Sequence, residues 1–332
     1  MGEDGLAVYE RVVTHDDFDG VASAALVGYF LELDRFVFAG PGDIIQARVP
    51  VRKEDIVCDL PYPLICGMWF DHHAANIEDV VLRGIDPGGI PGLRSEEPSC
   101  ARVIVNYFGL DFEIDEEIES LAASADRIDS FAYESVEDWR AERPESLIDA
   151  AIKLKAGSTP AERRNFLRQL TFWLMDEPLE ETAGRSQVKN RASLFRAEEE
   201  EMLKLIGQHF GYLDPEKKIV LLDFSGCDHR VKIVKNLVQL LDPDAHSILE
   251  VNCLFDRQIK TTDLSFSMNL TINGMRQAVL HDLGEIMREL NIGSGHRGAA
   301  SGTVRAKSKA EMLRARERTL QVILEKWRKQ GA

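Results

Sequence analysis

Apolar residues recur along the chain in two rhythms, as short β-rich runs that end in polar residues and as longer stretches of helical composition. Val8 to Thr14 is the first such run, and Val21 to Leu33, rich in Ala, Leu and Val, follows it, so a strand, a loop and a helix are expected. Ile56 to Cys58 then stops at Asp59, Leu64 to Phe70 stops at Asp71, and Ala101 to Phe108 reads as another helix. Strands alternating with helices imply an α/β fold with a doubly wound, mostly parallel sheet. An acidic helix over Glu116 to Asp126 follows, and then helical segments rich in Arg, Glu and Leu from Asp149 to Ile206.

A second α/β pattern opens after Asp214-Pro215. It places a strand at Ile219 to Asp223, a helix at Val231 to Leu241, and strands near Ser247 to Leu254 and Leu264 to Leu270. The expected organisation is a first domain over 1–190, a helical linker over 191–214 and a smaller mixed α/β domain over 215–332. A last helix over Lys309 to Lys329 carries Leu313, Leu320, Ile323 and Leu324 and should pack on the second domain.

Composition narrows the classes. With 332 residues, 44% of them hydrophobic and 29% charged, the chain can bury real cores, which excludes a disordered protein. The net charge of −16 argues against a protein that coats DNA, which needs a basic face. Met1 to Leu6 has two acids and no apolar run, so it reads neither as a secretory signal nor as a myristoyl site. Val21 to Leu33 is broken by Gly28 and Glu32 and falls short of the roughly 20 residues a membrane span needs. A cytoplasmic protein with no membrane contact is expected. Cys58, Cys66, Cys100, Cys227 and Cys253 form no CxxC pair and read as reduced, mostly buried thiols.

Chemistry gathers where strands end. In His15-Asp16-Asp17-Phe18-Asp19-Gly20, alternate residues of an extended chain share a face, so His15, Asp17 and Asp19 can converge on a divalent cation. The bland alternative is an acidic loop that caps a helix through Asp17 or Asp19. Asp59 and Asp71-His72-His73 end the next two strands, at the edge where open parallel sheets place their ligands. Asp126 and Asp129 can add a carboxylate from a helix. Trp69 and Phe70, on the strand before Asp71, read as core residues rather than stacking platforms for bases.

These four segments, His15-x-Asp17-x-Asp19-Gly20, Asp59, Asp71-His72-His73 and Asp126, resemble the motifs of the DHH phosphoesterases. The segment from Asp282 to Gly302, with Gly293-Ser-Gly295-His296-Arg297-Gly298-Ala299-Ala300, is similar to the glycine-rich GGGH segment of the C-terminal domain associated with that family. The resemblance implies an active site in the interdomain cleft that holds two metal ions, usually Mn²⁺ with Mg²⁺ as the alternative. His15, Asp17 and Asp59 would hold one ion, and Asp19, Asp59, His72 and Asp126 the other, with Asp59 bridging. His73 would touch a phosphate oxygen or assist proton transfer, and Asp71 would orient a histidine. Gly293, Gly295, His296 and Arg297 would bind the terminal phosphate of the substrate, while Gly293 also suits a helix stop.

Two departures stand out. Ser294 replaces the second glycine, and Ser267 stands where the family often carries a clamp arginine on the strand Leu264-Ser265-Phe266-Ser267. Arg257, Lys260 and Arg297 are the candidates to compensate. The function expected is a metal-dependent phosphoesterase acting on short single-stranded oligonucleotides, as an oligoribonuclease does, or on phosphoadenosine phosphate. Alternatives are a polyphosphate or cyclic-dinucleotide phosphohydrolase and a noncatalytic nucleotide-binding protein on the same fold. A homodimer is compatible with all of them.

Overall fold

The computed structural model describes residues 9–277 and 281–331. The expectations for Met1 to Leu6 and for Val8 lie outside the described residues. Two compact units emerge: the first takes the described residues up to Ala132 together with Arg140–Arg196, and the second takes Tyr133–Trp139 and the described residues from Ala197 on.

In the first unit β1 (Arg11–Thr14), β2 (Phe36–Phe38), β3 (Asp55–Cys58) and β4 (Met68–Phe70) form a parallel sheet in the order β2-β1-β3-β4. Alternation explains its two buried faces. Val12, Ile56 and Met68 pack with the helices Phe18–Leu31 and Cys100–Phe108, while Val13, Val57 and Trp69 pack with Ile44 and Val80 on the other side. The sheet is doubly wound as the pattern implies. Strand β4 is shorter than the run from Leu64 suggests, because Leu64 turns left-handed at φ 74° and Leu64 and Ile65 are exposed. Strand β2 is an element the sequence pattern does not announce. Register decides the rest: Thr14 pairs with Cys58 and Cys58 with Phe70, so His15, Asp59 and Asp71 leave the sheet at one edge.

The second unit holds a six-stranded mixed sheet in the order β5-β6-β7-β8-β10-β9. Its strands are β5 (Phe210–Tyr212), β6 (Ile219–Asp223), β7 (Ser247–Asp256), β8 (Ile259–Leu270), β9 (Gly293–Gly295) and β10 (Ala299–Val304). Among the described residues of this sheet, β6 and β7 pair in parallel and the other neighbours antiparallel. Leu249, Val251, Phe266 and Met268 bury one face against the helices Leu283–Glu289 and Lys309–Gln330. Val220, Leu222 and Ile248 bury part of the other against Leu237, Val238 and Ile206. The stretch expected as a linker carries the helix Ser186–His209 and then the edge strand β5.

Two local readings change. Val231 to Leu241 is not one helix but an irregular segment, extended at Val234, followed by the 3₁₀ turn Lys235–Leu240; the β-branched Val231, Ile233 and Val234 resist a helical start. The glycine-rich segment is a strand hairpin rather than an open loop, for Gly293 pairs with Gly302 and Gly295 with Ala300. Asn291, at φ 52°, takes the left-handed position after the helix that Gly293 was expected to take. Gly293 serves close approach instead, since a Cβ there would lie 1.9 Å from the Ser301 carbonyl oxygen. Among the described residues no helix is long and apolar enough to cross a membrane. All five cysteines are free, and Cys58, Cys100 and Cys253 are buried.

Candidate metal centre

The first helix begins where β1 ends. Asp17 caps it by accepting from the Gly20 amide at 3.0 Å, and the chain turns so tightly that a Cβ on Gly20 would lie 2.3 Å from the His15 carbonyl oxygen. Both readings of this acidic loop therefore hold together, because one Asp17 oxygen caps the helix while the other approaches His15 Nδ1 to 2.6 Å. Asp19 is buried, and its two oxygens accept from the Cys100 and Ala101 amides at 2.8 and 2.9 Å. These amides open the helix Cys100–Phe108, whose N-terminus favours negative charge.

Asp59 follows β3 in a left-handed conformation, φ 57°, that turns its buried carboxylate toward three imidazoles. Its Oδ2 lies 3.5 Å from His15 Nδ1, and its Oδ1 lies 3.6 Å from both His72 Nε2 and His73 Nδ1. The Glu97 carbonyl lies 3.1 Å from His72 Nδ1, which fixes that nitrogen as a donor and presents Nε2 to the carboxylates. Asp71 is fully buried, accepts from Asn76 Nδ2 at 2.6 Å, and lies 2.9 Å from His73 Nδ1. The expected orienting contact of Asp71 therefore falls on His73.

The helix Glu116–Asp129 offers two carboxylates, three residues apart, with different fates. Asp126 is not brought to the cluster. It accepts from Ser99 Oγ at 2.6 Å and from Arg102 Nε at 2.9 Å, so a neighbouring helix consumes it. Asp129 stands in the place Asp126 was expected to take, with Oδ2 3.4 Å from His72 Nε2. Three overlapping sets result: His15, Asp17 and Asp59; Asp59, His72 and His73; Asp19, His72 and Asp129. Within each set the ligand atoms lie within 4.8 Å of one another.

Electrostatics shows what the cluster lacks. Burial opposes charge on His15, yet the Asp17 and Asp59 carboxylates outweigh it and raise the group to about 11. Burial likewise opposes His72, but Asp59, Asp19 and Asp129 lift it to about 10. Asp59 is held down at about 2 despite its burial, because His15 and His72 stabilise the anion. Burial and the Asp59 and Asp129 charges push Asp19 upward. Asp129 rises to about 6, through burial and through Asp59 and Asp17, against the opposing pull of His72. The cluster calls for positive charge. Asp59 Oδ1 and His72 Nε2 are moreover buried without a hydrogen-bond partner, a costly state unless something else coordinates them. An oxygen and imidazole set of this kind fits a divalent cation such as Mn²⁺ or Mg²⁺.

Residues of the second unit that were singled out as phosphate ligands lie at the β9–β10 hairpin. His296 and Arg297 are exposed, but the His296 amide donates to the Ala299 carbonyl at 2.9 Å, which removes it from any anion. Lys260 lies 3.8 Å from Asp228. The cation beside Ser267 is instead Lys235, whose Nζ donates to Ser267 Oγ. A lone lysine inside an expected helix gave no signal of this.

No protein-family model matches the chain, and no curated protein matches it. Solved structures do. A pGpG-specific phosphodiesterase, PggH from Vibrio cholerae, aligns with a TM-score of 0.68 at 20% identity, covering 96% of this chain and 99% of that one. A DHH domain from a member of the s1p family of ribosomal proteins aligns at 0.53 and 13% identity over 96% of this chain and 86% of that one. This is the DHH fold. An exopolyphosphatase-related protein from Bacteroides fragilis shares it, at 0.51 and 12% identity over 95% of this chain and 92% of that one. The DHH fold accounts for the strand-end origin of His15, Asp59 and Asp71.

Proposed function

We propose that the chain is a divalent-cation-dependent phosphohydrolase of short oligonucleotides or of phosphoadenosine phosphate. The observation that carries this reading is the pair of buried, unpartnered atoms, Asp59 Oδ1 and His72 Nε2, at the centre of three overlapping ligand sets. His15, Asp17 and Asp59 would hold one cation, and Asp19, Asp59, His72 and Asp129 a second, with Asp59 common to both. When bound, such a pair supplies an activated water and compensates charge developing on the apical oxygens of an in-line attack on phosphorus.

The chain's own groups do the rest. Asp71 holds His73 through Nδ1, which leaves Nε2 of this half-exposed ring for a phosphate oxygen or a transferring proton. Glu97 and Asn76 fix His72 and Asp71 from outside the cluster. Asp126, through Arg102, ties together the two helices that carry Asp129 and the amides on Asp19.

The test is release of phosphate or nucleotide with Mn²⁺ and then with chelator, across linear dinucleotides, di- to pentanucleotides, phosphoadenosine phosphate, a cyclic dinucleotide and polyphosphate. The first of these belongs in the panel because a protein of the same fold acts on pGpG, and polyphosphate because another is exopolyphosphatase-related. Metal-dependent release from the short nucleotides supports the reading. Release from polyphosphate or the cyclic dinucleotide alone replaces it with the alternative hydrolase. No turnover by protein that binds Mn²⁺ replaces it with a nucleotide-binding role.

A further inference from the structure

The first unit carries a cleft of about 200 Å³ that the candidate metal centre does not use. Its floor comes from Ala25 and Leu26 on the helix Phe18–Leu31, Ile118 and Leu121 on the helix Glu116–Asp129, and Leu174 and Leu179, all of them buried. Leu26 lies seven residues from Asp19 on one helix and Leu121 eight from Asp129 on the other. About two helical turns therefore separate the cleft from the carboxylates those helices bring to the cluster. The rim has another character. Tyr29 stands on it half exposed, beside Asp115, Glu117, Asp176 and Glu177, and neither a lysine nor an arginine lines it. Glu177 accepts from Arg185 at 2.5 and 2.6 Å, whereas Asp115, Glu117 and Asp176 make no ion pair among the described residues. Asp115 and Glu117 open their helix, where the dipole favours them, and Asp115 accepts from the Ile118 amide at 2.8 Å. Asp176 has no such support, for it is the last residue of the helix Pro160–Asp176, where the dipole opposes a carboxylate.

We propose that this cleft binds a small organic ammonium ion, with its hydrocarbon body on the floor of Leu26, Leu121 and Leu174 and its charge among the rim carboxylates beside the Tyr29 ring. Each half of the cleft excludes the simpler ligands. A bare metal ion gains nothing from an apolar floor, and none of these carboxylates falls, among the described residues, in a set that could hold one. An apolar anion fits the floor but meets three uncompensated carboxylates. An ammonium with a hydrocarbon body removes apolar surface from water and meets both the carboxylates and an aromatic face. Size narrows the class further: a cavity of roughly 150 Å³ takes a benzene ring, so this cleft has room for one ring with a short arm. The proposal draws nothing from the phosphate-ester reading and stands or falls apart from it.

The experiment is a saturation-transfer NMR titration of the full chain at pH 7 and low salt, with three probes that share a phenyl ring and a short arm: 2-phenylethylammonium, 2-phenylethanol and 3-phenylpropionate. The ammonium should bind with a dissociation constant on the order of 1 mM. The alcohol should bind about five- to tenfold more weakly, having lost the charge-assisted and cation–π contacts, and the carboxylate more weakly still. Glu117→Gln combined with Asp176→Asn changes two exposed side chains and removes two charges from a net −16, so the attraction of the whole acidic surface hardly alters. That variant should bring the ammonium down to the affinity of the alcohol and leave the alcohol unmoved, a split that general loosening of the fold would not produce. Tyr29→Leu, which keeps an apolar side chain without the ring face, should weaken the ammonium several-fold and the alcohol less. Equal binding of the three probes by the wild-type chain overturns the proposal. A preference for the ammonium that survives in the double variant also overturns it, since the whole surface rather than the cleft would then be its source.

Discussion

At the edge of the first sheet Asp59 lies among three imidazoles, whereas on the polar face of the second sheet Lys235 lies among hydroxyls. The first site gathers carboxylates that repel one another and borrows histidine protons to offset them. The second holds one cation whose nearest carboxylate is engaged elsewhere. In the first, burial and neighbouring carboxylates push Asp19 upward; in the second, burial pushes the Lys235 ammonium down. The two are also built differently. Strand ends supply the first, so its groups fall next to one another in motifs, while the second is assembled across strands by register.

Five predictions would break or sharpen this contrast. Asp59→Asn removes the carboxylate common to both cation sets, and turnover with Mn²⁺ should fall at least about a hundredfold, beyond what loss of a merely supporting group costs. Unchanged Mn²⁺ binding by that variant in calorimetry would show that Asp59 does not bridge. Mn²⁺ at a hundred times its dissociation constant should stabilise the wild-type chain by about 2.7 kcal/mol, seen as a raised Tm that chelator reverses. An unmoved Tm would leave the acid cluster without its counterion.

Lys235→Met should stabilise the free protein by up to about 3 kcal/mol near pH 7, because the folded state keeps the lysine charged at a cost. The folded group titrates at about 8, below its ordinary 10.5, so the unfolded chain binds more protons between those values. Wild-type stability therefore rises with pH through that window. The advantage of the variant is full below about 8 and gone above about 10.5, a trend that urea unfolding at several pH values checks. The smallest effect belongs to Asp126→Asn, which loosens a partly exposed pair with Arg102 and should cost about 1 kcal/mol or less, with turnover changed only a few-fold. Asp129→Asn should cost turnover about ten- to a hundredfold. A reversal of that order would return the ligand role to Asp126.

Sequence reading reached the parallel sheet and the edge at which Asp59 and Asp71 leave it, because both sit directly at the ends of β-rich runs. It could not tell apart Asp126 and Asp129, which are i and i+3 on one helix; Asp126 is engaged by Ser99 and Arg102, more than twenty residues away in the chain, while Asp129 lies near His72. Strand β2 escaped because three residues, Phe36–Phe38, carry too little periodicity. Strand β9 escaped because glycines read as loop, although Gly293 is small to let β10 come close. Tyr133–Trp139 joins the second unit through contacts such as Trp139 with the Val220 and Leu222 core, which no local pattern encodes. Lys235 was hidden for the same reason, since its partner Ser267 lies 32 residues on.

The hydrogen bonds on Asp19 carry a consequence for the order of assembly. Its carboxylate is oriented by amides 81 and 82 residues further along the chain. Those contacts close a long loop, and long loops close late in folding. Until they form, Asp19 is not held in place, so of the three sets only His15, Asp17 and Asp59 and Asp59, His72 and His73 can assemble, while the set of Asp19, His72 and Asp129 waits for Cys100 and Ala101 to dock. The set that includes Asp19 is thus complete only in chains whose first unit has already joined residues about eighty positions apart.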